Sequence, residues 1–339
     1  MDNLILFNNS ALNSLLNKRS GESKFGEHVK ILNNVFNIYE QLKNLDVRYV
    51  IFGISEDIGV FANYGKRGTA KAWEASIKVL LNSQSNRSTK ADKVLILGHL
   101  NFSDELEKLG SLNQEKKSDI KEARKMVAEI DVHVTDLVYQ IAKAGKIPII
   151  IGGGHNNAYG NIKGSALANN NTINAVNFDA HSDFRPEEGR HSGNAFSYAF
   201  AEGFLKNYFV FGLHENYTSE NTFKTINKLK TIQYNTFEGI KVRRELKFKS
   251  EMQVALDHVS SNKFGVEIDC DAIENVPCNA QTPSGFSVNN AREFVHFFGK
   301  HKNAAYLHIC EAAPKRKTQD QVGKIISYLI TDFIRANAS

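Results

Sequence analysis

The chain has 339 residues, of which 42% are hydrophobic and 23% charged, a composition typical of a globular protein. Its net charge of +5 is mild and its lysines are scattered, so we expect no nucleic-acid-binding surface. No apolar run approaches the roughly 20 residues that cross a bilayer, and the N-terminus lacks a basic leader. These features predict a cytoplasmic protein without a membrane partner.

Short apolar segments rich in β-branched residues recur along the whole chain. Most are continuous apolar runs, which is typical of strands that are buried on both faces of a parallel sheet. In chain order, the predicted strands are Arg48–Gly53, Lys93–Gly98, Ile147–Gly152, Ile173–Asp179, Tyr208–Leu213, Thr231–Tyr234, Phe264–Asp269 and Ala305–Cys310.

Helical patterns separate many of these strands, for example Ile120–Ala144 and Val288–Lys300. The alternation predicts an α/β fold, namely a three-layer α/β/α sandwich with a central, mostly parallel sheet of about eight strands. No Pro/Ser-rich linker interrupts the pattern. We therefore expect a single domain over residues 1–339, with residues 1–45 forming an N-terminal helical extension.

The three cysteines, Cys270, Cys278 and Cys310, are too few for a disulfide framework in so long a chain. Their spacing also differs from that of thiolate zinc sites. Cys270 lies between two aspartates in a predicted strand, so its side chain should point away from theirs. We interpret it as a buried core thiol.

Histidine and aspartate side chains follow three of the predicted strands, and a glutamate follows a fourth. Ligands of an open parallel sheet bind at the carboxyl ends of its strands, so these positions are candidate site residues. In an extended backbone, positions i, i+2 and i+4 point the same way, so neighbouring members should share a face. The residues are His155, Asp179, His181, Asp183, Asp269, Asp271 and Glu311.

Four aspartates and two histidines without a thiolate form a donor set that suits Mn²⁺, and less selectively Fe²⁺, Co²⁺ or Zn²⁺. Burying so many like charges is costly unless a cation neutralises them. Six ligands exceed the needs of one catalytic ion, whereas carboxylates that bridge two ions about 3.5–4 Å apart would account for the surplus. A polar loop with incidental acids remains the alternative for the segment from Asp179 to Asp183.

The motifs GGGHNNAYG, NFDAHSDFR and EIDCDA occur in this order and resemble the three metal-binding motifs of the arginase (ureohydrolase) superfamily. The resemblance extends from about Val50 to the C-terminal helix and implies an arginase-like fold with two Mn²⁺ ions per chain. It implies that Asp179 and Asp269 bridge the ions. The implied ligands are His155, Asp179, Asp183 and Asp269 for one ion, and Asp179, His181, Asp269 and Asp271 for the other.

The resemblance also implies that a metal-bound hydroxide hydrolyses a C–N bond in an amidine or guanidine substrate. Asp271 would accept or relay the hydroxide proton, and Glu311 resembles the acid that pairs with the cationic nitrogen group of the substrate. His191 resembles the proton-shuttling histidine of the family, a role that suits a solvent-exposed ring with a pKa near neutrality. An exposed loop histidine and a helix N-terminal acid are the respective alternatives for His191 and Glu311.

The GGGH motif and the arginine after DAHSDF are similar to the formimidoylglutamase branch of the superfamily. This branch implies a substrate with two carboxylates, N-formimino-L-glutamate, and a place in histidine degradation. Arg185 and Arg67 are the candidate partners of these carboxylates, because guanidinium groups match carboxylate geometry. Asn194 is a further candidate substrate-binding residue, and a surface or helix-capping role is the alternative for either arginine.

Several positions depart from the family pattern. Glu267 replaces a small hydroxyl residue, EAAP at Glu311 stands for EVNP, and the segment after Asp271 lacks the usual Asp-Pro and Ala-Pro-Gly. These departures keep open a guanidine-hydrolysing ureohydrolase that releases urea, such as an arginase, an agmatinase or a guanidino-acid hydrolase.

Two other classes of protein are considered. A histone-deacetylase-like enzyme shares the sheet architecture but uses one zinc and a tandem histidine pair, which this sequence lacks. A non-catalytic binding protein of the same fold would have lost ligands, whereas all six ligand positions are filled here. The resemblance also implies a homo-oligomer, either a trimer or a hexamer.

Overall fold

The computed structural model describes residues 3–338, and its central sheet contains ten strands. All eight predicted strands are present, with bounds shifted by a few residues, and two short N-terminal strands are added. The strands are β1 (Leu4–Leu6), β2 (Lys30–Ile31), β3 (Tyr49–Ser55), β4 (Val94–Asn101), β5 (Ile147–Ile151), β6 (Ile173–Phe178), β7 (Leu205–Leu213), β8 (Ile232–Thr236), β9 (Phe264–Asp269) and β10 (Ala304–Cys310).

The spatial order of the strands differs from their order in the chain. The order is β1-β4-β3-β5-β10-β9-β6-β7-β8, and β2 also pairs with β4. Only the β1–β4 pair is antiparallel among the described pairs. Consequently β5, β10, β9 and β6 are neighbours at the centre of the sheet, and their carboxyl ends lie side by side at one edge.

The crossover connections that parallel pairing requires are supplied mostly by α-helices. The predicted helices at Ile120–Ala144 and Val288–Lys300 correspond to α6 and α11 below. None of the helices in the described range has both the length and the apolar character that crossing a membrane requires. The helices are α1 (Asn9–Leu15), α2 (Ile38–Asn44), α3 (Ile58–Ala62), α4 (Ala72–Leu81), α5 (Ser103–Leu109), α6 (Lys117–Lys143), α7 (Ala158–Asn169), α8 (Ala195–Ala201), α9 (Glu220–Lys228), α10 (Phe248–Val259), α11 (Val288–Gly299) and α12 (Gln319–Asn337).

Helices cover both faces of the sheet and form two apolar cores with it. One core contains side chains of α4, α10, α11 and α12, such as Phe294 and Leu329. The other contains side chains of α6, α7 and α8, such as Val134. Successive strand residues enter opposite cores, as Val50 and Ile51 do, because side chains alternate along a strand. The predicted three-layer α/β/α sandwich is confirmed.

The N-terminal segment is expected to be a helical extension, and its described part is only partly helical. Helix α1 follows Asn8, whose side chain accepts the N–H of Ala11, and α2 lies further along. Strands β1 and β2 both pair with β4, as in the register of Leu6 with Gly98. Their pairing satisfies backbone groups that an open edge of β4 would expose. The segment therefore belongs to the sheet as well as to the helical layers.

The substitution Gly98→Ala tests how closely β1 packs on β4. Gly98 has a φ of +134°, and a Cβ at this position would lie 2.0 Å from the carbonyl oxygen of Ile5. We expect the free energy of unfolding to fall by more than the roughly 1–3 kcal/mol that backbone strain alone costs, because the strands must also separate.

Gly145→Ala provides the control, because Gly145 also has a positive φ of +77° but has no atom within 4 Å of the added Cβ. Its loss of stability should reflect backbone strain only. Denaturant unfolding curves measure both losses. Equal losses in the two variants would contradict the tight packing of β1 on β4.

Candidate binuclear metal site

The four central strands deliver most of the predicted ligands to one edge of the sheet. His155 lies in the turn after β5, Asp179 follows β6, Asp269 ends β9 and Glu311 follows β10. The backbone N–H of His155 donates a hydrogen bond to Oε1 of Glu311 at 2.9 Å, although the two residues are 156 positions apart. The strand order therefore assembles the site from distant parts of the chain.

The first ligand group surrounds the Nδ1 atom of His155. This atom lies 2.9 Å from Oδ2 of Asp183, 3.1 Å from Oδ2 of Asp269 and 3.2 Å from Oδ2 of Asp179. Each of the four side chains offers a ligand atom within 4.8 Å of the others, and all four are buried. Despite the short distances, neither ring nitrogen of His155 makes a hydrogen bond of acceptable geometry within the described chain. The group matches the ligand set predicted for one ion.

The second ligand group contains Asp179, His181 and Asp271. Nδ1 of His181 lies 2.9 Å from Oδ2 of Asp271 and 3.7 Å from Oδ1 of Asp179. Asp179 thus presents one oxygen to each group, as its predicted bridging position requires. Oδ1 of Asp269 instead accepts the N–H of Asp271 at 2.8 Å. Both bridges, through Asp179 and through Asp269, stay predictions.

Burial determines the electrostatics of this cluster. Burial, together with nearby Asp179, raises the pKa of Asp183 to about 6, and burial with two neighbouring aspartates raises the pKa of Asp269 well above its ordinary range. Burial alone would lower the pKa of His155 and of His181, but neighbouring groups raise both pKa values well above normal. For His155 these groups are Cys310 and the ligand aspartates, and for His181 they are Asp271 and Asp179. The cluster therefore retains protons that a multivalent cation would displace.

The backbone that carries the ligands leaves the strand conformation at the sheet edge. β6 ends at Phe178, and β9 ends at Asp269 before a 3₁₀ turn over Cys270–Ala272. Asp183 has a φ of +44°, in the left-handed region. The expected strand alternation therefore does not aim Asp183 and Asp271, because tight turns direct them toward the ligand groups. Cys270 itself is buried in the core, as predicted.

Glu311 lies between the first ligand group and the adjoining cavity. Its φ of +59° is unusual for a residue with a Cβ, and such strain is commonly retained at functional sites. Burial raises the pKa of its carboxyl group to about 8. The next described helix begins only at Gln319, so the alternative of a helix N-terminal acid is wrong.

Both ligand groups face a cavity of about 500 Å³, a size that suits a small-molecule substrate. The floor is formed by ligand residues and Glu311. The outer part is lined by hydroxyl and amide side chains, which favour a hydrophilic ligand. These side chains are Asn63, Ser192, Thr218, Ser219, Thr222 and Asn279.

The structure places the two candidate arginines differently. Arg185 lines the cavity, where its Nη1 donates to Oδ1 of Asn63 at 2.9 Å and about half of its side chain is exposed. The Nε of Arg67 donates to Oδ1 of Asp57 at 2.8 Å. The expectation that Arg67 faces the substrate is corrected, because Arg67 is not among the residues that line the cavity. Ion pairing does not separate the two arginines, since Nη2 of Arg185 also lies 3.3 Å from Oε1 of Glu188.

His191 and Asn194 lie behind the cavity wall. His191 is fully buried, and its Nδ1 accepts the N–H of Gly193 at 3.1 Å. Burial and nearby arginines lower the pKa of His191 to about 3, so the expectation of an exposed ring that titrates near neutrality is wrong. The side-chain oxygen of Asn194 accepts hydrogen bonds from Arg190 and from the N–H of His191, so Asn194 holds the loop and does not face a substrate.

Sequence reasoning missed two residues of the site. Tyr217 lines the cavity and stacks on the ring of His181, with 5.4 Å between ring centroids and 18° between ring planes. Glu56 is buried and accepts the N–H of Gly154 at 2.8 Å, which anchors the turn that carries His155. Glu56 directly follows β3, a strand end that could have marked it, whereas no local pattern indicates Tyr217.

A family model described as the arginase family matches residues 48–335. The chain therefore belongs to the arginase family. This membership agrees with the motifs at the three strand ends and argues against the histone-deacetylase-like alternative.

Individual relatives are similar to this chain at low sequence identity. Formimidoylglutamase from Streptococcus gordonii is 25% identical over 239 residues, which cover 68% of this chain and 66% of that protein, just under two thirds. Formimidoylglutamase from Bacillus subtilis has a similar fold, with a TM-score of 0.71, 16% identity, and coverage of 95% of this chain and 94% of that chain. Formiminoglutamase from Trypanosoma cruzi, crystallised with Mn²⁺, gives a TM-score of 0.70 and 18% identity, and covers 89% of this chain and 98% of that chain. These structural similarities confirm the arginase-like fold.

Replacing His191 by asparagine should change how stability depends on pH. The pKa of about 3 in the folded chain lies below the ordinary value of 6.5, so between these values the unfolded chain binds a proton that the folded chain does not. As the pH falls below about 6.5, this group should remove up to about 1.4 kcal/mol of unfolding free energy per pH unit from the wild type.

The His191→Asn variant lacks this titrating group. The stability difference between the wild type and the variant should therefore shrink as the pH falls from about 7 to about 5. Denaturant titrations at several pH values measure both curves. Parallel curves would contradict a buried, neutral His191.

Proposed function

We propose that this arginase-family protein is a binuclear manganese hydrolase that converts N-formimino-L-glutamate and water into L-glutamate and formamide. The observation that carries the proposal is that members of both ligand groups and Arg185 line one cavity. The relatives named formimidoylglutamase, one of them crystallised with Mn²⁺, support the same reaction and the same metal. The reaction is hydrolysis of the C–N bond of a linear amidine in histidine degradation.

The described side chains fit two Mn²⁺ ions by their donor chemistry. Carboxylate oxygens and imidazole nitrogens suit Mn²⁺. Nδ1 of His155, which faces the three aspartates, is buried without a hydrogen-bond partner in the described chain, as expected of an atom that binds a metal. When bound, the ions lower the pKa of water enough to supply hydroxide near neutral pH. The proposed ligands are His155, Asp179, Asp183 and Asp269 for one ion, and Asp179, His181, Asp269 and Asp271 for the other.

Asp271 and Glu311 are the proposed catalytic residues. Oδ1 of Asp271 has no hydrogen-bond partner in the described chain, so it is free to hold the proton that leaves the nucleophile. The carboxyl group of Glu311 lines the cavity. Burial raises its pKa to about 8, and an amidinium cation bound beside it would favour the ionised form, so that the two groups can pair. We do not assign the proton shuttle to His191, because its ring is buried and Nδ1 already accepts a hydrogen bond.

Arg185 is the proposed partner of a substrate carboxylate. A guanidinium group can bind a carboxylate through two parallel hydrogen bonds. Asn63 restrains one Nη atom of Arg185, which orients the guanidinium at the cavity wall. The hydroxyl groups of Thr218 and Ser219 line the same cavity and can donate hydrogen bonds to the second carboxylate of N-formimino-L-glutamate.

The deciding experiment is a product assay on Mn²⁺-loaded protein, with N-formimino-L-glutamate, arginine, agmatine and short guanidino acids supplied separately. We expect formamide and glutamate from the first substrate and no product from the others. Asp179→Ala should abolish both turnover and metal binding without changing the circular dichroism spectrum, because it removes a residue that belongs to both proposed ligand sets.

The other outcomes of this assay separate the alternatives. Urea from a guanidine substrate would overturn the substrate assignment and identify an arginase, an agmatinase or a guanidino-acid hydrolase. Absence of both bound Mn²⁺ and product would reject the hydrolase proposal and favour a non-catalytic binding protein. Full activity of Asp179→Ala would reject the proposed metal centre.

Arg185→Ala should raise the KM for N-formimino-L-glutamate about 10- to 100-fold, consistent with the roughly 1.5–3 kcal/mol of a hydrogen bond to a charged group. The kcat should change less, because the carboxylate contact is present before and during the reaction. Arg67→Ala is the matched control, because Arg67 pairs with Asp57 and does not line the cavity. Equal increases in KM for both variants would contradict the assignment to Arg185.

The proposal also includes a cytoplasmic location, a single catalytic domain over residues 1–339, and a homotrimer or homohexamer. The support for one domain is the continuous sheet, in which β10 joins strands from both halves of the chain. The support for the location is the composition, and the support for the assembly is the family resemblance. Light scattering coupled to gel filtration measures the assembly directly.

A further inference from the structure

A buried row of polar side chains lies beneath the first ligand group. Glu267 on β9 is opposite His308 on β10 in the strand register, and both are fully buried. The carboxylate of Glu267 accepts a hydrogen bond from the hydroxyl of Tyr306 at 2.6 Å, and its other oxygen lies 2.5 Å from Nδ1 of His308. We call Glu267, Tyr306 and His308 the Glu267 triad.

The Glu267 triad and the three ligand aspartates lie on opposite sides of the His155 ring. Nδ1 of His155 faces the three aspartates, whereas Nε2 lies 3.6 Å from Oε2 of Glu267. This separation is longer than a hydrogen bond, so the interaction is electrostatic in this structure. A carboxylate on this side favours the tautomer whose proton is on Nε2, which leaves the lone pair of Nδ1 available to a metal.

The triad also contacts the backbone that carries His155. Nε2 of His308 lies 3.4 Å from the carbonyl oxygen of Gly152. Gly152 begins the turn between β5 and His155, and its φ is +83°. Phe196 packs edge-on against the His155 ring, with 5.2 Å between centroids. Phe196 therefore restrains the ring, and His308 of the triad contacts the turn that carries it.

The neighbouring sequence makes room for the triad. Gly265 pairs with Tyr306 in the register, and a Cβ on Gly265 would lie 2.1 Å from Cζ of the tyrosine ring. The glycine thus leaves the space through which the phenol reaches Glu267. A buried carboxylate in a strand interior is generally less favourable than an apolar side chain of similar size. Gly265, Tyr306 and His308 all accommodate the buried carboxylate of Glu267. This arrangement indicates that the charge has a role beyond packing.

We propose that Glu267 is a positioning residue that fixes the orientation and the tautomer of His155, and that Tyr306 and His308 hold Glu267 in place. The inference rests on the proposed metal centre and adds that retention of the ion bound by His155 depends on the triad. Carboxylates behind a metal-bound imidazole orient the ring and increase its basicity. Glu267 is also the position at which the sequence departs from the small hydroxyl residue of the family pattern.

The test compares Mn²⁺ binding by the wild type, Glu267→Gln and Asp332→Asn. Asp332 is a matched control, because its buried carboxylate pairs with Arg292 on the α11–α12 side of the sheet. Competition with a chelating dye should show two Mn²⁺ ions per wild-type chain and one site weakened about 10- to 100-fold in Glu267→Gln. At two equivalents of Mn²⁺, the electron paramagnetic resonance spectrum should change from that of a coupled pair toward that of an isolated ion. Asp332→Asn should retain both wild-type properties.

A second pair of variants keeps the inference testable if Glu267→Gln does not fold. Tyr306→Phe removes a buried hydroxyl that bonds to Glu267, and Tyr49→Phe removes a buried hydroxyl that lies near Asn337. Weaker Mn²⁺ binding in Tyr306→Phe, but not in Tyr49→Phe, supports the inference. Wild-type affinity and spectrum in Tyr306→Phe, or in a folded Glu267→Gln, would overturn it while leaving the proposed function intact. A wild type that binds no Mn²⁺ would instead reject the proposed function.

Discussion

The close packing of buried aspartates around His155 is the constraint on which the rest of the structure depends. Asp179, Asp183 and Asp269 place oxygens 2.9–3.2 Å from one imidazole nitrogen that is itself buried, at the inner side of the cavity. Carboxylates at this density repel one another unless protons or metal ions compensate their charge. The central strands are mainly apolar, with the Glu267 triad as an exception inside β9 and β10, so most of the charge is concentrated where the strands end. The arrangement is therefore stable when cations compensate the carboxylates, and it destabilises the fold when they are left uncompensated.

Residues behind the ligands hold the turns and loops of this cluster in place. Glu56 fixes the turn before His155, and the buried ion pair of Arg190 with Asp131, at 2.8 Å, fastens the loop of His191 to α6. The ring faces of two tyrosines also contact the guanidinium of Arg190. Buried ion pairs contribute little net stability compared with apolar packing. Their value here is geometric, because they restrain loops that would otherwise move relative to the sheet.

The sequence predicted most of the fold and the ligand groups because both depend on local patterns, namely apolar runs that end in histidine or aspartate. It did not predict β1 and β2, which are too short to show a pattern and exist because β4 has an edge to pair with. The burial of His191 and the pairing of Arg67 with Asp57 depend on tertiary packing and on competition between partners. The spacing of residues in the sequence indicates neither the burial of His191 nor the partner of Arg67.

The last of the ten described strands, β10, lies in the middle of the sheet between β5 and β9. A ribosome releases this segment after the other nine described strands, so the two halves of the sheet cannot join until β10 has emerged. Glu311 and His308 arrive with the same segment. The first ligand group joins His155 after β5 to aspartates after β6 and β9, so it can form only after translation of β10, which lies between β5 and β9. A nascent chain that stalls before Ala304 would present two open strand edges to its neighbours. The same segment, β10, therefore both completes the first ligand group and covers the strand edges at which nascent chains could aggregate.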